Sequence, residues 1–296
     1  MNDAFSRCHP IVNFLYFTLV FAFSMIFSQP VCLAISLICA FAYSVYLNGR
    51  RAVKFNLLYL IPMLLVSALI YPVFSHQGVT LITYLPNGNP LTLESIVYGA
   101  AAGTMLISVI AWFSCYNAIM TSDKFVYLFG RIIPALSLIL SMILRFVPRF
   151  RDQMKIISNA QKCVGRDVSQ GNIIQRARNA VKVMSIMVTW ALENAIETAD
   201  SMRSRGYGLP GRTAFSIYRF DSRDRHALAM ISLLGLTVLI CSILGGAKYR
   251  YFPSIKGDFG SPATIILMAS YLALCLTPMA INLEEDRKWR VTRSAA

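Results

Sequence analysis

Long stretches without a single charged side chain constrain this sequence more than anything else in it. No Asp, Glu, Lys or Arg occurs in residues 8–49, 55–93, 95–122, 226–247 or 259–283. Each run reaches the roughly 20 apolar residues that a helix needs to cross a bilayer. With no water in the hydrocarbon, a spanning backbone must satisfy its own hydrogen bonds, as a helix does. Yet the chain carries 28 Lys plus Arg against 14 Asp plus Glu, a net charge of +14. A soluble protein would spread that charge over its whole surface; here it is confined to the gaps between apolar runs. An ordinary soluble enzyme and a soluble nucleic-acid-binding domain are excluded, and no nucleic-acid partner is expected. The pattern predicts an all-α, polytopic helical membrane protein with about six transmembrane helices and a cytoplasmic or interfacial helical insert.

Candidate spans cover residues 11–28, 31–47, 57–75, 95–120, 226–247 and 263–281, with a turn at Ser28–Gln29–Pro30 between the first two. The first run leads straight into a second and is read as a span rather than a signal peptide. Residues 76–90, rich in Gly, Pro and Asn, read as an exposed loop. Residues 132–144 are apolar but short: a helix of that length covers about 20 Å against about 30 Å of hydrocarbon. They are placed flat at the interface. Orientation then follows from the cations, of which all but Lys248, Arg250 and Lys256 fall in segments assigned to one side. That side is cytoplasmic by the positive-inside rule, and it holds both termini. Three regions result: a four-span membrane region (1–120), a cytoplasmic or interfacial domain (121–225) and a two-span membrane region with a basic tail (226–296).

The insert carries 17 basic and 8 acidic residues. Pro148 suits a first helical turn, so residues 149–164 are predicted as a helix that begins there. A longer helix is predicted from about Ile173 to Arg205, stopping at Gly206. Within it, Trp190 reads as an interfacial anchor. Ala191, Ala195 and Ala199 share one stripe, a spacing that lets another backbone cross closely. Glu193, Glu197 and Asp200 form an acidic face nearby. The stretch 206–213 nearly matches a phosphate-binding loop, but it follows a helix rather than a strand and is rejected as one.

The run 191–208, ALENAIETADSMRSRGYG, resembles the signature of the transmembrane (T) component of energy-coupling factor transporters, also called the cobalt transport permease family. So does Arg145–Phe146–Val147–Pro148 followed by a charged helix to Ala160–Gln161. The resemblance implies two cytoplasmic coupling helices, each ending in an X-Arg-X motif that docks on one of two ATPase subunits. Ser204–Arg205–Gly206 fits the second motif. The first reads Cys163–Val164–Gly165, with Val164 where the family has Arg; Arg166, one residue beyond Gly165, and Lys162 are the two candidates to replace it. The resemblance also implies a substrate-binding membrane (S) subunit. Ile139, Met142, Met184, Met187, Ala191, Ala195 and Ala199 are the candidate platform for it.

The spans hold no acid or base between their ends, whereas pumps and ion-coupled carriers place ionisable groups at mid-membrane. No catalytic residue, cofactor or metal ligand is expected. The seven Cys form no C-x-x-C pair and read as small buried hydrophobes; His9, His76 and His226 read as interfacial residues. The chain is therefore expected to be a non-catalytic scaffold in the cell membrane, coupling ATPases to vitamin or metal-ion uptake by the S subunit. A self-sufficient secondary transporter or channel is the alternative, and a lipid-binding surface anchor is a third reading.

Overall fold

The computed structural model describes residues 3–74, 78–84, 90–130, 133–209, 218–257 and 260–294. The chain divides into two compact units, residues 1–124 with 218–296, and residues 125–217.

The first unit is a helical bundle. Its helices are α1 (Pro10–Ile26), α2 (Pro30–Asn48), α3 (Arg50–Phe74), α4 (Leu93–Ile119), α8 (Ser222–Gly246) and α9 (Pro262–Ser294). Pro10 and Pro30 each open a helix, where the missing N–H would be unpaired anyway. The helices α2, α3, α4, α8 and α9 are long and apolar enough to cross a membrane, and α1 is a 17-residue apolar helix. The six predicted spans are thus six helices. Part of the predicted loop before α4 is instead a short antiparallel hairpin, β1 (Leu81–Tyr84) with β2 (Pro90–Thr92). A second hairpin, β3 (Tyr249–Arg250) with β4 (Lys256–Gly257), joins α8 to α9. His76, within that same predicted loop, lies outside the described residues.

The helix α4 packs on α1, α2 and α3, and α9 packs on α2 and α8. Tyr16, Phe17, Tyr43, Trp112, Ile231, Leu267 and Tyr271 meet in the shared core, each almost fully buried. Hydrogen bonds tie the same helices together. Trp112 donates to the Ser36 hydroxyl at 3.1 Å, and the Ser24 hydroxyl lies 2.9 Å from both Ser36 and Tyr271. Within lipid such bonds add about 0.6 kcal/mol each. The run Gly99–Ala100–Ala101–Ala102–Gly103 lets α4 approach α3: a side chain at Gly99 would stand 3.0 Å from the Ala68 carbonyl. The remaining face of α3 is apolar and exposed, with Leu58, Leu65, Leu69 and Phe74 pointing outward, as a lipid-facing helix requires.

The second unit contains α6 (Pro134–Cys163) and α7 (Ile173–Ser204), and the chain reaches it through α5 (Ser122–Gly130). Pro148 does not open a new helix: α6 runs from Pro134 through it to Cys163. Residues 134–144 of the segment expected flat at the interface and those expected in the charged helix are one element, and Ile132 lies outside the described residues. A Pro removes one N–H from the helical ladder, and the other bonds of a long helix can outlast that loss. Neither α6 nor α7 is apolar enough to count as a membrane-crossing helix. The predicted extent of α7 is correct to one residue.

Candidate functional site: two capped helix tips and an exposed stripe

Antiparallel packing holds α6 against α7. Ile157, Val183 and Met187 are buried in their contact, with Phe150, Met154, Ile186 and Trp190 around them. Phe150 and Trp190 meet edge to face at 5.4 Å, and the Arg149 guanidinium lies 5.7 Å from the Trp190 ring. Trp190 thus staples one helix to the other. The partners of α7 were readable only as a spacing: residues 150, 154 and 157 fall four and three apart, on one helical face.

The connection from α6 back to α7 folds onto the start of α7. Asn179 donates to the Asp167 carbonyl at 3.0 Å and Arg176 to the Val168 carbonyl at 3.1 Å. Asn172 caps α7 in a capping box with Gln175.

Both helices end in the same way. In α7, the Gly206 N–H donates to the Arg203 carbonyl and the Tyr207 N–H to the Met202 carbonyl, each at 3.0 Å. In α6, the Gly165 N–H donates to Lys162 and the Arg166 N–H to Gln161, each at 2.9 Å. Each pair of bonds is a Schellman motif, and its glycine sits in the left-handed region, at φ +76° for Gly165 and +78° for Gly206. The residue before each glycine has nearly the same backbone: φ −90°, ψ 12° at Val164 and φ −85°, ψ 9° at Arg205. Superposing the motifs by their bonds pairs Val164 with Arg205 and Arg166 with Tyr207. Arg166 therefore does not stand where Arg205 stands, and Lys162 lies within the last turn of α6.

Ser204, Arg205, Gly165 and Arg166 are exposed, and Gly206 is half-buried. Lys162 reaches 3.9 Å from the Asp167 carboxylate, which also accepts the Ser169 N–H at 2.9 Å. That backbone N–H, more than the lysine, holds the Asp167 carboxyl below the usual carboxylate range. Arg205 makes no ion pair among the described residues. One tip lies at each end of α7, whose 32 residues span about 48 Å at 1.5 Å per residue.

The platform candidates separate. Ile139 and Met184 are about half exposed, Met142 and Ala191 are half-buried, and Ala195 and Ala199 are exposed. Met187 turns inward, 8% exposed, against Ile157. A longer exposed apolar stripe takes its place on α7: Val181, Met184, Val188, Leu192 and Ile196 recur every three or four residues. Glu193, Glu197 and Asp200 lie exposed beside it. Six of the seven Cys are buried, whereas Cys163 is exposed at the first tip. No cluster of His, Cys, Asp and Glu able to hold a metal occurs among the described residues.

The family model for CbiQ, described as a cobalt transport protein, matches residues 5–215. Curated relatives carry the name energy-coupling factor transporter transmembrane protein EcfT. The one from Lactococcus lactis is 34% identical over 106 residues, which is 36% of this chain and 39% of the relative. The one from Lacticaseibacillus paracasei is 38% identical over 107 residues, covering 36% and 40%. The one from Staphylococcus aureus is 29% identical over 156 residues, covering 52% and 57%. The first of these matches extends over about two fifths of the relative's length.

Proposed function

Because this chain belongs to the CbiQ family of cobalt transport proteins, we propose that it is the non-catalytic transmembrane coupling subunit of an ATP-driven importer of the energy-coupling factor type. Both termini and the second unit face the cytoplasm. There the tips at Val164–Gly165–Arg166 and Ser204–Arg205–Gly206 dock on two ATPase subunits, one tip to each. The exposed stripe of α7, with Ile139, Met142, Ala195 and Ala199, receives the substrate-binding S subunit. Closure of the ATPases moves the tips, and the stripe passes that motion to the S subunit, which carries a vitamin or metal ion inward.

The observation that supports this reading best is the pair of matched Schellman caps at opposite ends of α7. Each cap fixes the residue before its glycine at the very end of a rigid helix, the geometry of a tip made to be gripped. At Arg205 that residue is a permanent cation with a fork of donors, suited to carboxylates or backbone carbonyls on a partner. Energy must come from the partner, since the spans carry no charge between their ends.

The test is co-purification. Arg205→Glu should lose the ATPase subunits while the chain stays in the membrane at parental level. Full recovery of both ATPases with the charge reversed would count against the docking role.

A further inference from the structure

The second unit is joined to the bundle at two places, after Lys124 and before Tyr218. The bundle residues at both places are held by one short N-terminal segment. Lys124 is 6% exposed, and its ammonium donates to the Ser6 carbonyl, to the Ser6 hydroxyl at 3.4 Å and to the Ile119 carbonyl at 3.0 Å. Asn13 of α1 completes the cage. Its amide, oriented so that both ends find partners, accepts from Lys124 at 3.1 Å and donates to the Phe5 carbonyl at 2.9 Å. The Phe5 N–H in turn donates to Asn282 of α9 at 3.0 Å.

On the returning side, Asp224 in the first turn of α8 is 3% exposed. It accepts from the His9 N–H at 3.1 Å and from the Asp221 N–H at 3.2 Å. The His9 ring stands edge-on to Phe220 at 5.2 Å. Burial pushes the Lys124 amine below its ordinary pKa, and buried Asp3 opposes that shift. Desolvated charges are retained where their hydrogen bonds are complete, and removing one partner of such a set is strongly destabilising. A lysine with four oxygen acceptors and an aspartate with two backbone donors meet that condition.

We propose that residues 3–9 form a clasp that fixes both roots of the coupling unit in the bundle, with Lys124 and Asp224 as its positioning residues. A tip pulled by an ATPase does useful work only if its roots do not give way. Slack at residue 124 or 218 would absorb the stroke. The inference rests on the coupling reading above, but concerns residues that touch neither ATPase nor S subunit in that reading.

The experiment uses the full chain with its ATPases in nanodiscs. Nitroxide labels are placed at Ser185→Cys, exposed in the middle of α7 and in neither tip, and at Ile26→Cys in a Cys163→Ser background, and electron–electron resonance reads their distance distribution with and without ATP. Lys124→Met should leave ATPase binding and hydrolysis at parental level, widen that distribution by about twofold or more and abolish its ATP-dependent shift. Lys124→Arg, which keeps the cation and its donors, should restore the parental distribution. Asp224→Asn, close to isosteric, is read in the same way and should widen the distribution even if Lys124→Met lowers the yield. Parental width and ATP response in a folded Asp224→Asn or Lys124→Met complex would overturn the clasp and leave the coupling reading intact. Failure of the parental chain to bind ATPases would overturn the coupling reading instead.

Discussion

Arg205→Ala should weaken ATPase docking about 10- to 100-fold, whereas Arg166→Ala should change it by less than about threefold. The contrast follows from the caps. Arg205 precedes its glycine, is exposed and makes no ion pair among the described residues, so its removal breaks nothing within the chain. What it loses lies at the partner: a hydrogen bond to a charged group contributes about 1.5–3 kcal/mol, and each 1.4 kcal/mol is tenfold in affinity. The helix itself loses only about 0.3–1 kcal/mol of dipole stabilisation, and Ala accepts the Arg205 backbone angles. Arg166 occupies the position of Tyr207, beyond the glycine, and its structural bond comes from its backbone N–H, which Ala keeps. Titration of the purified chain in nanodiscs with the two ATPases, read by biolayer interferometry, gives both affinities. Equal losses for the two variants, or none for Arg205→Ala, would refute the idea that cap position decides which arginine is gripped.

Other consequences are open to measurement. Gly165→Ala forces a side chain to φ +76° in open space, so it should destabilise the first tip by about 1–2 kcal/mol and speed hydrogen exchange at the Gly165 and Arg166 amides; unchanged protection would show that the cap is not needed. Trp190→Ala removes the edge-to-face pair with Phe150 and the Arg149 contact, about 1–2 kcal/mol together, and should speed exchange at Ile157 and Val183. Exchange confined to residues near 190 would argue that α6 and α7 are held elsewhere. The Asp167 carboxyl has a folded pKa below its ordinary 3.8. Its contribution is therefore present above that value and lost as pH falls through the folded one, so Ser169 amide protection should decline below about pH 4. Protection that stays level down to pH 3 would contradict this.

Charge-free runs and their Pro and Gly boundaries made the membrane helices legible, because lipid leaves helices as the only economical choice. The end of α7 was equally plain, since Gly206 follows an uninterrupted helical stretch and only glycine takes that φ without strain. Pro148 misled because its effect depends on context: the same ring that starts a helix can sit inside one whose other bonds hold. Met187 and Met184 looked interchangeable in sequence, and only the packing of α6 shows that one is buried and the other exposed. The register of Arg166 needed the hydrogen bonds, as counting residues past Val164 does not distinguish a cap position from the one beyond it. The spacing of Asp221 and Asp224 marks a helix start, but nothing in the sequence ties Lys124 or Asp224 to residues 3–9, because those partners, Ser6 and His9, lie more than a hundred positions away.

The chain contains its own probe of whether the tips face the cytoplasm and are gripped by the ATPases. Cys163 is exposed beside Val164 at the first tip, and the other six Cys are buried. A membrane-impermeant maleimide should label it in inside-out vesicles stripped of ATPases, fail to label it in right-side-out vesicles, and react more slowly when the ATPases are added back. Labelling from the outer side, or a rate unchanged by the ATPases, would contradict the account.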